Sequence, residues 1–324
     1  MVRVRSFPRI HLGLFDLGHT TRRDHGGSGF YIDGLPVEIE VVRSRKMQIV
    51  GMAQLDKDGR NDLRSAIDRM RKFCGLPNVS IRLRNLIPQH VGLGSKTALV
   101  LGVLKATDLA LGLNLGRDVV QTLSGRGGTS GVGVNAFFSG GFLADCGHPA
   151  SKTNQFAPSS RRSEFVIPPV ACRIGIPRDW RFYMILLPGR RLTSTTEVKF
   201  FRQNTPIPDS QVLSSIAAVY HGVIPAVLTG DLKLLKEALR DVRSTGFKAR
   251  ELRSQTDPVK DFIRDADDRT DLAIGMSSLG PLVFAIGTER DKKDRATVED
   301  LTVRYRGVML GVFRGRNHGY EVVR

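Results

Sequence analysis

The chain has 324 residues, with 49 Lys or Arg against 32 Asp or Glu, a formal charge of +17 and a sequence pI near 10.3. Its 41% hydrophobic and 25% charged residues are the composition of a folded globular protein and exclude a disordered tail protein. Three cysteines, Cys74, Cys146 and Cys172, with no CxxC spacing exclude a disulfide framework and a structural zinc.

No apolar run is read as approaching the ~18–20 residues of a bilayer span, and the N-terminus shows no secretory pattern. A cytoplasmic protein without a membrane partner is therefore expected. A pI this high accompanies nucleic-acid binding or a multiply phosphorylated substrate. Here the basic residues come as scattered pairs, Arg22-Arg23, Arg161-Arg162 and Arg190-Arg191, with few aromatics between them. A nucleic-acid partner is not expected.

Residues 2–14 alternate as a strand, and 37–42 do so again. Residues 61–73 read as an amphipathic helix, with Leu63, Ala66, Ile67, Met70 and Phe73 at helical spacing and Gly75 and Pro77 to stop it. A strand over 79–83 feeds the loop 84–95, which runs into an apolar helix over 96–111. Strands follow at 141–145 and 182–187, then helices at 211–224 and 232–245, the second capped by Asp231 and stopped by Gly246. A late buried strand covers 282–287. The least structured stretch is 149–181, where the boundary between two lobes, 1–165 and 166–324, is placed. No internal repeat is visible.

The strongest motif is the loop Gly92-Leu93-Gly94-Ser95-Lys96-Thr97 between a strand and a helix. Its glycines let the backbone turn tightly and approach a ligand, and the helix then offers unpaired N–H groups and the positive end of its dipole. With the Ser95 and Thr97 hydroxyls and the Lys96 ammonium, this is a phosphate site that does not fit the Walker A spacing. A second glycine-rich loop over 125–133 carries Arg126, Gly128, Thr129 and Ser130 as anion donors and is followed by Asp145; a flexible linker is the alternative reading. A third, 275–281, carries Ser277 and Ser278. Near the N-terminus Arg9, His11 and Asp16 share a strand, and Asp24, Gly26 and Gly27 follow in a loop.

The pattern from Pro88 through Gly92-Leu93-Gly94-Ser95, with the late Ser277-Ser278-Leu279-Gly280-Pro281 loop, resembles the GHMP small-molecule kinases. That resemblance implies an α+β GHMP-kinase-like fold, with an N-terminal lobe (1–165) like the second domain of ribosomal protein S5 and a C-terminal ferredoxin-like lobe (166–324). Within the superfamily, five stretches are similar to the β-ribofuranosylaminobenzene 5′-phosphate synthases. They are Arg9-x-His11-x-Gly13-Leu14-x-Asp16, Arg23-Asp24-x-Gly26-Gly27, Gly92-Leu93-Gly94-Ser95, the block from Gly125 to His148, and the Ser277-Ser278 loop. The resemblance spans 9–281 and implies a decarboxylating phosphoribosyltransferase. Such an enzyme joins C1 of phosphoribosyl pyrophosphate to a ring carbon of an aromatic carboxylic acid, releasing pyrophosphate and CO2. It also implies magnesium and a homodimer.

Two departures touch ligand positions: Lys96 and Ala98 stand where that family has Gly and Gln, and Thr129 precedes Ser130-Gly131 where it has Arg. An added ammonium at Lys96 suits an acceptor with an extra carboxylate. The acceptor expected first is therefore the 4-amino-pyrazole-3,5-dicarboxylate of C-nucleoside antibiotic biosynthesis, and next 4-aminobenzoate. Lys96 is equally well read as an exposed helix-start lysine.

This chemistry needs no enzyme nucleophile; it needs positioning, charge on the departing pyrophosphate and exclusion of water. Arg9, His11, Arg126 and Asp145 are the expected catalytic residues and 92–97 the pyrophosphate site. Asp24, Gly26, Gly27, Gly128, Thr129, Ser130, Glu197, Ser277 and Ser278 are the expected substrate contacts. Magnesium is expected to be held largely by the pyrophosphate, with Asp16 and Ser95 as candidate ligands. His11 also reads as a satisfied strand histidine, the aspartates as caps, and Glu197 as a surface ion pair. A GHMP-type ATP-dependent kinase and an RNA-binding protein are the rival readings.

Overall fold

The computed structural model describes residues 1–150, 156 and 166–323. The alternation over 2–14 yields two strands instead of one, β1 (Val2–Ser6) and β2 (Arg9–Asp16). They part at Phe7-Pro8, where the proline nitrogen has no hydrogen for a ladder. Residues 24–29, expected as a loop, lie inside β3 (Arg23–Asp33), which pairs with β2 along its length. Small residues at these positions hid a strand buried on both faces, which need not alternate.

β1 joins β4 (Val37–Arg43), β5 (Gln48–Val50), β6 (Val79–Arg84) and the C-terminal β14 (Glu321–Val323) in a five-stranded sheet ordered β14-β1-β4-β6-β5. Only the β5–β6 pair is parallel. Helix α1 (Lys57–Cys74) starts before the expected 61, because Asp56 caps it by accepting from the Gly59 N–H at 2.6 Å. Helix α2 (Ser95–Leu111) matches the expected apolar helix and is buried on nearly all sides, packed on β1 and β4 with α1 and α3 (Arg117–Ser124) beside it.

The second glycine-rich loop is no flexible linker: from Val132 it becomes α4 (Val132–Ser139), which packs on β3 and β7 (Phe142–Asp145). β8 (His148–Pro149) also pairs with β3. β9 (Val170–Ile174) pairs with β7, so part of the stretch read as least structured is a strand. Residues 151–155 and 157–165, and with them the expected lobe division after 165, lie outside the described residues.

The C-terminal half brings β10 (Trp180–Leu186), β11 (Ala273–Met276), β12 (Leu282–Thr288) and β13 (Val308–Gly315) into the antiparallel order β11-β12-β10-β13. Counted along the chain this is the 2-3-1-4 order of a ferredoxin-like sheet. β13 then pairs with β3 through Arg314–Asp33 and Gly315–Ile32, so one nine-stranded sheet crosses both halves of the chain. Between β10 and β11 come α5 (Ser194–Asn204), α6 (Asp209–Ala217), α7 (Ile224–Thr229), α8 (Leu232–Ser244), α9 (Gly246–Arg253) and α10 (Asp257–Arg269). Helix α11 (Lys292–Arg304) connects β12 to β13.

Asp231 caps α8 as expected, accepting from the Leu234 N–H at 2.9 Å. Gly246 does not stop that helix; it opens α9 after a break at Thr245. The helix expected over 211–224 is longer: α6, a π-helical turn over Ala218–Val223 and α7 run on as one segment, Asp209–Thr229. By length and composition this segment is apolar enough to cross a bilayer, which corrects the statement that no such run exists. In the fold it packs against β2, α8 and α9.

The two halves of the chain share a core. Phe30 of β3 is fully buried, with ring centroids 5.0 Å from Phe142, 5.4 Å from Phe182 and 6.5 Å from Trp180. Phe30→Ala therefore opens a cavity where N-terminal and C-terminal strands meet. It is expected to cost about 3–5 kcal/mol in urea denaturation, with both halves unfolding in one transition.

Candidate active site

A cavity of about 420 Å³ opens at the N-terminus of α2. Its walls carry Arg9, His11, Gly92, Leu93, Gly94, Ser95, Lys96, Thr97, Arg126, Thr129, Ser130, Glu197 and Ser278 of the residues singled out from sequence. Their elements come from five separate parts of the chain, and hydrogen bonds to one loop join three of them.

The Gly92 carbonyl accepts from Arg9 Nη1 and from Ser277 Oγ, both at 2.6 Å. The Arg9 N–H donates to the Leu93 carbonyl at 3.1 Å. Ser277 Oγ also accepts the His11 N–H at 3.0 Å, and the Ser278 N–H returns a bond to the His11 carbonyl. Gly94 turns the chain into α2 with φ +69, and a Cβ there would press on the Arg9 side chain at 3.2 Å. The first-turn N–H groups of α2 therefore face the cavity with no side-chain cap from Gly94.

Three cations look into this space. Arg9 has no ion pair among the described residues, and burial, then the nearby Arg126 charge, lower its pKa to about 10. Arg126 lies 3.3 Å from Thr97 Oγ1 and 3.5 Å from Asp62. Lys96 faces two carboxylates, 3.8 Å from Asp58 and 4.0 Å from Asp56. Lys96 is therefore neither a free surface lysine nor an unmatched charge. Asp56 also accepts from His90; burial opposes its charge, but this bond, the Gly59 N–H and Lys96 hold its carboxyl below the usual range.

His11 is buried, and its Nδ1 lies 3.0 Å from Ser278 Oγ. Burial first, then Arg9 and Lys248, depress it well below the ordinary histidine value, so it is neutral at neutral pH. A Cβ at Gly27 would lie 2.7 Å from His11 Nε2, so that glycine serves close packing of β3 on β2.

Several expected site residues stand behind the wall instead of in it. Asp145, expected to be catalytic, accepts from Ser130 Oγ and the Gly131 N–H at 2.8 Å and from the Gly147 N–H at 2.9 Å. Burial raises its pKa to about 6 against these bonds. It positions the 125–133 loop. Asp16, a candidate metal ligand, instead accepts from the backbone N–H groups of Gly18, Thr20 and Thr21. Asp24 pairs with His19 at 2.9 Å. Gly26, Gly27, Gly128 and Ser277 also lie outside the cavity lining.

Glu197, read most simply as a surface ion pair, lines the cavity. Burial raises its carboxyl to about 7, against the pull of Arg126, Lys96 and His90. Sequence reasoning missed Asp58, Asn61, Asp62 and His90 at one end of the cavity, and Glu251 with the Lys248 behind it at the other. Leu14, Leu192, Phe201 and Leu279 give this second end apolar walls and belong to one hydrophobic cluster. Lys248 and Glu251 sit three residues apart in a short polar helix, where nothing but burial distinguishes them from a solvated pair.

Residues 61–141 match the GHMP kinases N terminal domain. The chain is 31% identical, over 99% of both chains, to the beta-ribofuranosylphenol 5'-phosphate synthase of Archaeoglobus fulgidus. It is 33% identical, over 90% of both, to that of Methanocaldococcus jannaschii. Among solved structures, the homoserine kinase of Cytophaga hutchinsonii superposes with a TM-score of 0.71 at 17% identity, covering 99% of this chain and 97% of the other, a likeness of fold alone.

Glu197 sets a pH signature. Its folded pKa near 7 lies above the ordinary 4.5, so holding the charged form costs stability progressively as pH rises from about 4.5 to about 7 and no more beyond. Glu197→Gln removes this loss. Its stability relative to the parent chain is expected to rise by about 2 kcal/mol across that window and to stay level outside it, read by denaturation at fixed pH steps.

Proposed function

This chain belongs to the beta-ribofuranosylphenol 5'-phosphate synthase family, and we propose that it joins the anomeric carbon of phosphoribosyl pyrophosphate to a ring carbon of a benzoic acid, with loss of pyrophosphate and CO2. The observation that carries the reading is the convergence of the α2 N-terminus, Arg9 and Arg126 on one cavity whose other end is walled by Leu14, Leu192, Phe201 and Leu279. One end suits a polyanion and the other a flat apolar ring.

The diphosphate lies against the first-turn N–H groups of α2 and the Ser95 and Thr97 hydroxyls, with Arg9 and Arg126 taking up charge as it departs. As the bond from C1 to the leaving oxygen lengthens, that carbon becomes oxocarbenium-like. A neutral His11 adds no cation beside it, and the Glu197 and Glu251 side chains bring carboxyl groups to the same cavity. The ring carbon bearing the carboxylate attacks, and the bond to the carboxylate breaks as CO2 to restore aromaticity. The carboxylate supplies the electron pair, so no base is needed at that carbon.

Magnesium, when bound, neutralises the diphosphate oxygens. Ser95 and the carboxylates of Asp58 and Asp62, which line the cavity beside the loop, would help to hold the ion there. Two observations support a 4-hydroxybenzoate-type acceptor over the pyrazole dicarboxylate. The relatives carry phenol in their names, and Lys96, the proposed partner of an extra carboxylate, already faces Asp56 and Asp58.

The test follows pyrophosphate and CO2 together from phosphoribosyl pyrophosphate and magnesium, with 4-hydroxybenzoate, 4-aminobenzoate or 4-amino-pyrazole-3,5-dicarboxylate as acceptor. The expected result is acceptor-dependent release of both in equal amounts, fastest with 4-hydroxybenzoate. Faster turnover of the pyrazole reverses the acceptor assignment. Release from ATP with a small alcohol, and none from phosphoribosyl pyrophosphate, overturns the synthase reading.

A further inference from the structure

Lys248 and Glu251 occupy one face of α9, which packs on β2, and their side chains are 3% and 2% exposed. The Lys248 ammonium has three hydrogens and three acceptors: Glu251 Oε2 at 2.5 Å, the Met276 carbonyl at 3.1 Å and Ser278 Oγ at 3.1 Å. The lysine is thus saturated, and it pins the glutamate in one orientation. Glu251 Oε1 is left buried without any hydrogen-bond partner.

Buried polar atoms are nearly always paired, so an orphan atom on a residue of the cavity wall marks an acceptor whose partner a ligand group can supply. Of the six orphan side-chain atoms among the described residues, only this one belongs to a residue that lines the cavity. Its surroundings narrow the ligand. Leu14, Leu192, Phe201 and Leu279 line the cavity with it and belong to one hydrophobic cluster, while Arg9, on which the Glu251 charge acts, and Arg126 stand beside the α2 loop. A carboxylate oxygen can only accept, so the complement is a donor carried by a flat apolar body.

Resting on the synthase reading above, we propose that Glu251 is a catalytic residue that receives the hydrogen of the acceptor's ring hydroxyl, para to the carboxylate that is lost. The step balances without another reactant. As the ring carbon bonds to C1 of the ribose and the bond to pyrophosphate breaks, the hydroxyl proton moves to Glu251 Oε1 and the ring becomes a cyclohexadienone. When the bond to the carboxylate breaks and CO2 leaves, its electron pair restores the aromatic ring and the oxygen takes the proton back. Glu251 ends as it began, and Lys248 holds the carboxylate in place throughout.

The experiment titrates the full chain, loaded with magnesium diphosphate, with 4-hydroxybenzoate and with benzoate, which lacks the hydroxyl, by calorimetry. It is repeated on Glu251→Gln and Glu251→Asp, with circular dichroism to confirm folding and turnover measured alongside. The parent is expected to prefer 4-hydroxybenzoate by about tenfold or more. Glu251→Gln is expected to level the two ligands, and Glu251→Asp to regain part of the preference, with diphosphate affinity unchanged in both. If Glu251→Gln fails to fold, Glu251→Asp, which keeps a charge for Lys248, carries the comparison: a preference reduced without loss of diphosphate affinity supports the proposal. A preference that survives substitution, or diphosphate affinity that falls with it, overturns the proposal and places the glutamate on the donor or in the scaffold. Turnover of phosphoribosyl pyrophosphate with an intact hydroxyl preference in Glu251→Gln removes this role and leaves the synthase reading standing. Absence of turnover in the parent removes that reading, and the two binding ratios still decide whether Glu251 takes the hydroxyl.

Discussion

The carbonyl oxygen of Gly92 holds the site together. Arg9 from β2 and Ser277 from the loop before β12 both donate to it at 2.6 Å, so an N-terminal strand, the phosphate loop and the late serine loop share one acceptor. A carbonyl has two lone pairs, and both are taken. The arrangement orients the Arg9 guanidinium beside the N-terminus of α2 instead of leaving it to roam, which is what electrostatic stabilisation of a departing anion requires. Asp145 performs a similar service one layer out, gathering Ser130, Gly131 and Gly147 so that the 125–133 loop keeps Arg126 near Thr97.

Charge is distributed along the cavity with a purpose. The net +17 of the chain is mostly a surface property; in the site, Lys96 and Arg126 are already matched by Asp56, Asp58 and Asp62, while Arg9 is not. Arg9 therefore supplies the local excess of positive potential, and burial lowers the pKa values of both Arg9 and His11. Glu197, which feels the Arg126 and Lys96 charges, and Glu251, whose charge acts on Arg9, bring negative groups into the same cavity. Such a juxtaposition of opposite charges suits a reaction in which an anion leaves while positive charge builds on the carbon left behind.

Much of this was legible in the sequence because it depends on local chemistry. The turn into α2 needs Gly94 in a left-handed conformation, and the apolar run after it permits only a buried helix. The cap at Asp231 and the β11–β12 loop are similarly local. What escaped depended on tertiary context. The Asp24 to Gly29 stretch looked like a loop because a strand that packs glycine against His11 has no alternation to display. Residues 209–229 were read short because Ser, His and Pro interrupt an otherwise apolar helix that bridges them through a π turn. Asp16 and Asp145 carried motif spacing, but Asp16 spends its oxygens on backbone N–H groups and Asp145 on two backbone N–H groups and the Ser130 hydroxyl. Lys248 and Glu251 carried no motif, and only the packing of α9 on β2 converts an ordinary helical pair into a buried ionic floor.

The most direct measurement of the account is the affinity of the intact chain for magnesium diphosphate, by calorimetry, in the parent and in Arg9→Gln and Arg9→Lys. With the Arg9 guanidinium beside the α2 N-terminus and without an ion pair among the described residues, Arg9→Gln is expected to weaken binding by about 30- to 100-fold, and Arg9→Lys by less, with native circular dichroism in both. Equal affinity in all three folded proteins contradicts the account, because it places the diphosphate away from the loop around which the site is built.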